Sequence, residues 1–327
     1  MKPHAIIFSP DLSNQSQFDW VKKFEVYTDT NEFYINVEKQ IKSGTCAFII
    51  VTDKNLQAWP ENLFDAPISE AKVILTLIYT DSDTDAQLKF VKKNPYINHL
   101  VSIESHSVSN DIHQMCNLYS AAHANGTSPE ASLNLLTNLK LNNPIQVELS
   151  KTKDRWKAYE DLGVYAEKLE CFSDFVEIAK TVASELVTNA FFDGKRHHKS
   201  GKEFHSNRTL DFELDPNEKI ELCYGIESED AETEYLWIIA KDPFGSLNRK
   251  TVVDSMHRAA TERRPRVDTP GGAGLGLIML YEWCSAMHFI LQEGTSSSVA
   301  CKLRITRRNR VFESEQNSLH ICITESV

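Results

Sequence analysis

A glycine-rich run, GGAGLGL at Gly271–Leu277, constrains the second half of this chain more than any other feature. Apolar residues follow it at once, which predicts a loop that enters a helix. Glycine lets the backbone approach a ligand closely, and peptide N–H groups at a helix start can bind phosphate. The run has neither the spacing of a P-loop nor the preceding strand of a Rossmann fingerprint. The candidate nucleotide-binding residues in it are Gly272, Gly274, Leu275 and Gly276.

A second segment, SELVTNAFFDG, predicts a helix with one polar edge. Apolar residues recur before and within it at helical spacing, from Phe175 to Ala190. Glu185, Asn189 and Asp193 are four residues apart and are expected to stack on one side of the same helix. An amide beside carboxylates suits Mg²⁺, and a carboxylate one turn earlier can activate a hydroxyl group. The alternative is an ordinary polar edge on an amphipathic helix.

A third segment, KDPFGSL, follows the predicted strand Tyr235–Lys241. Asp242 at the rim of an apolar pocket can accept a hydrogen bond from an adenine amino group, and Gly245 allows an abrupt turn. The alternative is a simple D-P-x-G turn.

In this order, the three segments resemble the GHKL ATPases, a family that includes sensor histidine kinases, gyrase-type ATPases, Hsp90 and anti-sigma-factor serine kinases. The resemblance covers approximately residues 172–305. It implies an α+β two-layer sandwich of the Bergerat type that uses ATP and Mg²⁺. It also implies that Asn189 holds the metal, that Glu185 is the general base, and that Asp242 holds the adenine.

The resemblance extends to the loops around the nucleotide. Gly294-Thr295 resembles the late G-T pair of the family, which implies that Thr295 contacts the adenine side. Ser246–Pro270, a basic loop, would be the mobile lid. One departure stands out, because the family has glycines two and four residues after its adenine-binding Asp. Phe244 and Ser246 occupy those places here, so the turn is expected to differ.

The first ~120 residues alternate short apolar runs with amphipathic stretches such as Glu32–Ser43 and Asp85–Asn94. This rhythm predicts a parallel sheet with helical crossovers. A further helix is predicted over Ser109–Ala124. The predicted strands are Ala5–Phe8, Phe24–Thr28, Ala47–Thr52, Lys72–Thr80 and His99–Ile103.

This pattern resembles a response-regulator receiver domain, which is an α/β, flavodoxin-like fold. Asp53 would match the phospho-accepting aspartate and Thr80 the hydroxyl position. The first strand is followed by one acid, Asp11, where a receiver has two, and the fifth ends at Glu104 without the usual Lys. Phosphoryl transfer to an aspartate needs both the metal-binding acids and a cation. We therefore expect a pseudo-receiver that docks or dimerises, with Asp53 an ordinary turn residue.

Three regions are predicted: a pseudo-receiver domain at 1–124, a linker at 125–143 and a GHKL ATP-binding domain at 144–327. The linker carries ANGTSPEAS, a turn-rich composition. Strands predicted for the last region are Pro144–Ser150, Thr209–Leu214, Lys219–Ile226, Tyr235–Asp242, Ser297–Ile305 and Leu319–Thr324.

The overall composition of the chain indicates which partners and which cellular location to expect. A net charge of −11 argues against nucleic acid or an anionic membrane as the main partner. The seven cysteines form no C-x-x-C pair, which favours reduced thiols. With no signal peptide and no long apolar run, a cytoplasmic protein is expected.

Three functions remain open. The first is an anti-sigma-factor type kinase that phosphorylates Ser or Thr on a protein partner, with homodimerisation possible. The second is a switch in which bound nucleotide controls partner binding without catalysis. The third is an atypical histidine kinase, for which the candidate phospho-accepting residues are His106, His113 and His123.

Overall fold

The computed structural model describes residues 4–8, 23–27, 47–53, 74–79, 84–94, 97–102, 139–194, 211–262, 275–315 and 317–324. The chain divides into two compact units. The first comprises residues 1–133 and 318–320, and the second comprises residues 134–317 and 321–327.

The first unit contains a parallel sheet in the order β2-β1-β3-β4-β5. Its strands coincide with the predicted apolar runs, so this part of the prediction is confirmed. The helix α1 (Thr84–Lys93) lies between β4 and β5, close to the predicted helix Asp85–Asn94. The predicted helices Glu32–Ser43 and Ser109–Ala124 lie outside the described residues. The strands are β1 (His4–Phe8), β2 (Lys23–Tyr27), β3 (Ala47–Asp53), β4 (Ile74–Tyr79) and β5 (Ile97–Ser102).

The second unit is built on antiparallel strands in the order β9-β10-β8-β7-β6. These strands are β6 (Asn142–Leu149), β7 (Ile220–Ser228), β8 (Glu234–Asp242), β9 (Ala286–Gln292) and β10 (Ser296–Ile305); β11 (Ser318–Thr324) ends the described chain. The helices are α2 (Asp154–Glu167), α3 (Phe175–Asn189), α4 (Arg249–Glu262), α5 (Leu275–Trp283) and α6 (Asn309–Glu313), and a π-helical turn (Ala190–Gly194) follows α3.

The core of the second unit lies where α3 packs against β8. Phe175, Ala179 and Val182 of α3 are completely buried, as the helical spacing predicts. Every residue of β8 from Tyr235 to Ala240 is buried as well, which places this strand in the interior of the sheet. Helices on an antiparallel sheet are compatible with the predicted α+β sandwich.

The strand predictions for the second unit differ from the structure in three respects. Residues 211–214 of the predicted strand Thr209–Leu214 form only an isolated bridge between Lys151 and Glu213. The strand β9 was missed, because its apolar residues follow those of α5 without an intervening Gly or Pro. The predicted strand Pro144–Ser150 is present as β6. Its alternating apolar and polar residues predict that one face is buried, but β6 lies at the end of the strand order and is mostly exposed.

The predicted basic loop Ser246–Pro270 contains a helix. The helix α4 covers residues 249–262, and Asn248 caps it by accepting a hydrogen bond at Oδ1 from the Thr251 N–H at 2.8 Å. The sequence signal for this helix was the Asn cap followed by spaced apolar residues such as Val253 and Met256, both buried. The lid role of this segment stays a prediction.

In the second unit, no disulfide bond is formed by Cys171, Cys223, Cys284, Cys301 or Cys322. Burial raises the pKa of the Cys223 thiol to about 11, so it stays protonated at neutral pH. Within the described ranges, no helix has both the length and the apolar character to cross a bilayer.

Candidate nucleotide-binding site

The helix α3 carries the first two predicted site residues, Glu185 and Asn189, on a partly exposed edge beside its buried stripe. The helix ends at Asn189, and Asp193 lies in the π-helical turn that follows. The prediction that all three residues stack on the same α-helix is therefore wrong for Asp193, which lies beyond its end. A single π-helical turn is rare and is found frequently at functional sites.

Glu185 contacts the first turn of α5, which is the helix that follows the glycine run. A methyl group added to Gly276 would overlap Oε2 of Glu185 and would lie 3.0 Å from its Cδ atom. Any side chain at position 276 would therefore displace the carboxylate. Because that carboxylate is the end of a flexible side chain and can move, the glycine permits the observed position of Glu185 but does not enforce it. The contact joins α3, which carries the predicted general base, to the start of α5, where phosphate binding is predicted.

Asp242 ends β8 and is only 5% exposed. Its Oδ1 atom accepts hydrogen bonds from the peptide N–H groups of Phe244 at 2.9 Å and Gly245 at 3.3 Å. Burial raises the pKa of this carboxyl to about 7, although the two N–H donors act in the opposite direction. The group can therefore change its charge near neutral pH, as is common for groups at functional sites.

The turn after Asp242 packs against the turn that contains Thr295. Gly245 has a φ of 57°, a left-handed conformation that favours glycine. A methyl group there would overlap Gln292 O and Thr295 N, and it would lie 2.7 Å from Gly294 N. The Gly294 N–H donates to Gly245 O at 2.9 Å, and the Thr295 side chain is exposed. The structure thus brings together the predicted adenine-side residues Asp242, Gly245 and Thr295.

The end of the π-helical turn connects the α3 residues to Asp242. A methyl group on Gly194 would lie 3.4 Å from Cγ of Asp242. Nearby, the Ser246 hydroxyl donates to Asp193 O at 3.5 Å, a long hydrogen bond. These contacts therefore link predicted site residues from four separate sequence segments within the second unit.

Some predicted residues are not described. Gly272 and Gly274 lie outside the described residues, as do His106, His113 and His123 and the side chain of Leu275. Among the residues that the structure does describe, no group of three or more His, Cys, Asp or Glu could hold a metal ion.

Sequence reasoning missed two residues of α2 near this region. The Tyr159 hydroxyl donates to Ser184 O at 3.5 Å, and its pKa is raised mainly by burial and to a smaller degree by the charge of Glu185. Arg155 is 7% exposed and lies over the Phe192 ring, 5.4 Å from its centroid. The spacing of four residues between Arg155 and Tyr159 indicates that they share one face of α2, but no sequence motif marks either residue.

Comparison with the models of known protein families and with the curated proteins finds no match to this chain.

Proposed function

We propose that this chain binds Mg-ATP in its second unit and acts as a signalling protein kinase or partner-switching regulator of the anti-sigma-factor type. The observation that supports this most directly is the double contact of the α3 segment. Its Glu185 meets the start of α5 at Gly276, and its following turn meets Asp242 at Gly194. The GHKL resemblance implies the same three segments around one nucleotide.

In this proposal, each described residue has a separate chemical task. The Asp242 carboxylate accepts a hydrogen bond from the adenine amino group. The Asn189 amide oxygen would hold Mg²⁺, a hard cation that takes few protein oxygens and shares the rest with water and phosphates. The first N–H groups of α5 lack intrahelical acceptors, so they would donate hydrogen bonds to the phosphates. The bound metal would supply neutralisation of phosphate charge.

Glu185 is the proposed general base. Its carboxylate is partly exposed on α3 and lies against α5. From there it would accept the proton of a Ser or Thr hydroxyl presented by a protein partner, while the γ-phosphoryl group is transferred to that oxygen. The partner would be a regulator or a sigma/anti-sigma-like component.

The first unit would serve docking or dimerisation as a pseudo-receiver. Its parallel strand order, 2-1-3-4-5, is the order of flavodoxin-like folds, which supports this part of the proposal. Asp53 is the last residue of β3, where a receiver carries its phospho-accepting aspartate. In this proposal Asp53 does not accept a phosphoryl group.

A switch without catalysis is the second candidate. The helix α4 lies in the proposed lid and packs against α5, whose first turn contacts Glu185. Nucleotide that orders the lid would therefore also change a surface available to a partner.

The test has a binding arm and a catalytic arm. Binding of ATP with Mg²⁺ should raise the free energy of unfolding by about 2.7 kcal/mol at a hundredfold excess over Kd, measured by thermal unfolding. Glu185→Gln should keep this shift but lower ATP turnover roughly 100- to 10,000-fold. Glu177→Gln is the matched control, because Glu177 is an exposed acid on the same helix.

Each arm has a distinct negative outcome. If neither ATP nor ADP shifts the unfolding temperature, the proposal is wrong. A shift without turnover in the unmodified protein, even with partner proteins added, would favour the switch. Equal turnover in both variants would remove Glu185 from the catalytic role.

A further inference from the structure

Gly194 occupies a position where the surrounding side chains leave no space for a larger residue. It is buried at the end of the π-helical turn, and an added methyl group would lie 2.9 Å from Cδ2 of Phe244 and 3.5 Å from Oδ1 of Asp242. Carbon atoms attract at about 3.5–4.0 Å and repel at closer range. A methyl group on Gly194 would therefore require the buried Phe244 ring to shift, whereas its distances to Asp242 are those of ordinary contact.

Phe244 is also fixed by contacts that do not involve Gly194. It is 2% exposed, and its peptide N–H is one of the two donors to Asp242. The next residue, Gly245, is fixed against the β9–β10 turn by its left-handed backbone and by the hydrogen bond from Gly294. A side chain at position 194 would displace the Phe244 ring. Because the following residue cannot shift with it, we expect this displacement to rotate the Phe244 peptide, whose N–H orients the Asp242 carboxylate.

A second connection joins the same two turns. The Ser246 hydroxyl donates to Asp193 O, one residue before Gly194. The segments 193–194 and 242–246 therefore touch at two points, once by steric contact and once by a hydrogen bond. A change in the π-helical turn is expected to reach Asp242 by these contacts.

We propose that Gly194 and Phe244 are positioning residues that set the direction of the Asp242 carboxylate and make the site selective for a 6-aminopurine. This inference rests on the proposed function, in which Asp242 accepts a hydrogen bond from the ATP amino group. Phe244 stands where the GHKL resemblance would place a glycine, and the absence of a side chain at Gly194 makes room for its ring.

The experiment compares ATP with inosine triphosphate, which has the same sugar and triphosphate but a carbonyl in place of the 6-amino group. Binding of both to the full-length protein with Mg²⁺ is measured by calorimetry. Gly194→Ala should weaken ATP binding about tenfold and inosine triphosphate binding less than about twofold, because only ATP uses the Asp242 hydrogen bond. Adding Phe244→Leu to this variant should restore most of the preference, since leucine relieves the overlap.

Gly163→Ala is the matched control. Gly163 also lies in a helix of the second unit, but a methyl group there would meet Cδ of Lys180 at 3.1 Å, and that flexible side chain can move. This variant should bind both nucleotides as the unmodified protein does.

Several outcomes would overturn the inference. Equal losses for ATP and inosine triphosphate in Gly194→Ala would indicate general damage, and an unchanged preference would remove the positioning role. If Gly194→Ala does not fold, Phe244→Leu alone should lower the preference about threefold, and a normal preference would contradict the inference. Tight binding of ATP by the unmodified protein with a normal preference in every variant would leave the proposed function intact. Absence of ATP binding in the unmodified protein would overturn both.

Discussion

Asp242 is a carboxyl group whose charge depends on its surroundings more than on its chemical type. Its pKa is raised from 3.8 to about 7 by burial, against the opposing effect of two peptide N–H donors. In the folded, ligand-free protein it keeps a proton that the unfolded chain loses above pH 4. The contribution of this group to stability therefore decreases as the pH rises from about 4 through 7.

This titration predicts a pH dependence of ATP binding. An ionised Asp242 is the stronger acceptor for the adenine amino group, so binding should lower its pKa and release a proton. ATP affinity should rise roughly tenfold between pH 6 and pH 8, as measured by calorimetry. Asp242→Asn should bind ATP more weakly, with a flatter profile.

The phosphates of ATP also titrate in this range, but they do so equally with both proteins. The informative quantity is thus the difference between the profiles of the unmodified protein and Asp242→Asn. Asp161→Asn, which changes an exposed acid on α2, should follow the unmodified protein. Parallel profiles for all three proteins would argue against an adenine contact at Asp242.

At the scale of the elements, β7, β8 and β10 share a buried charged cluster. Lys302 of β10 is completely buried, with Nζ 3.7 Å from Oε2 of Glu227 and 4.1 Å from the centroid of the Tyr235 ring. The same Glu227 oxygen accepts a hydrogen bond from Nε1 of Trp237 at 2.8 Å. The Lys302 ammonium therefore lies over an aromatic ring and beside a carboxylate, with its partners on the two other strands.

Removal of one charge from this cluster should be costly. Glu227→Gln leaves the Lys302 ammonium buried with a weaker set of partners, and we expect a loss of about 2–4 kcal/mol in the free energy of unfolding. Glu227→Gln combined with Lys302→Met should recover part of that loss, because the buried ammonium is removed together with its nearer carboxylate partner. The recovery should be incomplete, because Glu229, whose Oε2 lies 4.0 Å from Nζ of Lys302, then loses its cation.

The exposed pair Glu148–Lys219 between β6 and the start of β7 provides the control. Glu148→Gln should cost less than about 1 kcal/mol. Urea denaturation of the four proteins measures these differences. Similar costs for Glu148→Gln and Glu227→Gln would show that burial of the cluster adds nothing to its strength.

At the scale of the whole molecule, the two compact units have different sheet construction. The first unit has parallel strands β1–β5, and the second has the antiparallel strands β6–β10. All described residues of the candidate site belong to the second unit. We therefore expect a bound ligand to change local stability in the second unit before it does so in the first.

Hydrogen exchange of the full-length protein tests this expectation. Saturating ATP with Mg²⁺ should slow amide exchange at least about threefold over residues 242–246 and 275–279, because a bound ligand suppresses local opening. Helix α1 of the first unit serves as the internal reference. ATP with a metal chelator should protect these segments less, and equal exchange with and without ligand would contradict a site at this position.

The sequence alone located the elements whose signals are local. Helical spacing identified α3, and continuous apolar runs identified β1–β5 and β8, because both patterns depend on neighbours along the chain. The position of Asp242 at the end of a strand followed from the same pattern. The sequence did not locate β9, whose apolar residues merge with those of α5, nor the helix α4 in a loop rich in charge.

The sequence by itself determined which residues carry the candidate chemistry and, except for Asp193, on which elements they lie. Only the tertiary structure decided that Glu185 rests against Gly276, that Gly194 leaves room for Phe244, and that Asp242 is buried deeply enough to titrate near neutral pH. These contacts join residues far apart in the chain. They depend on how α3, α5 and the end of β8 pack together, and no local pattern of side chains encodes those distances.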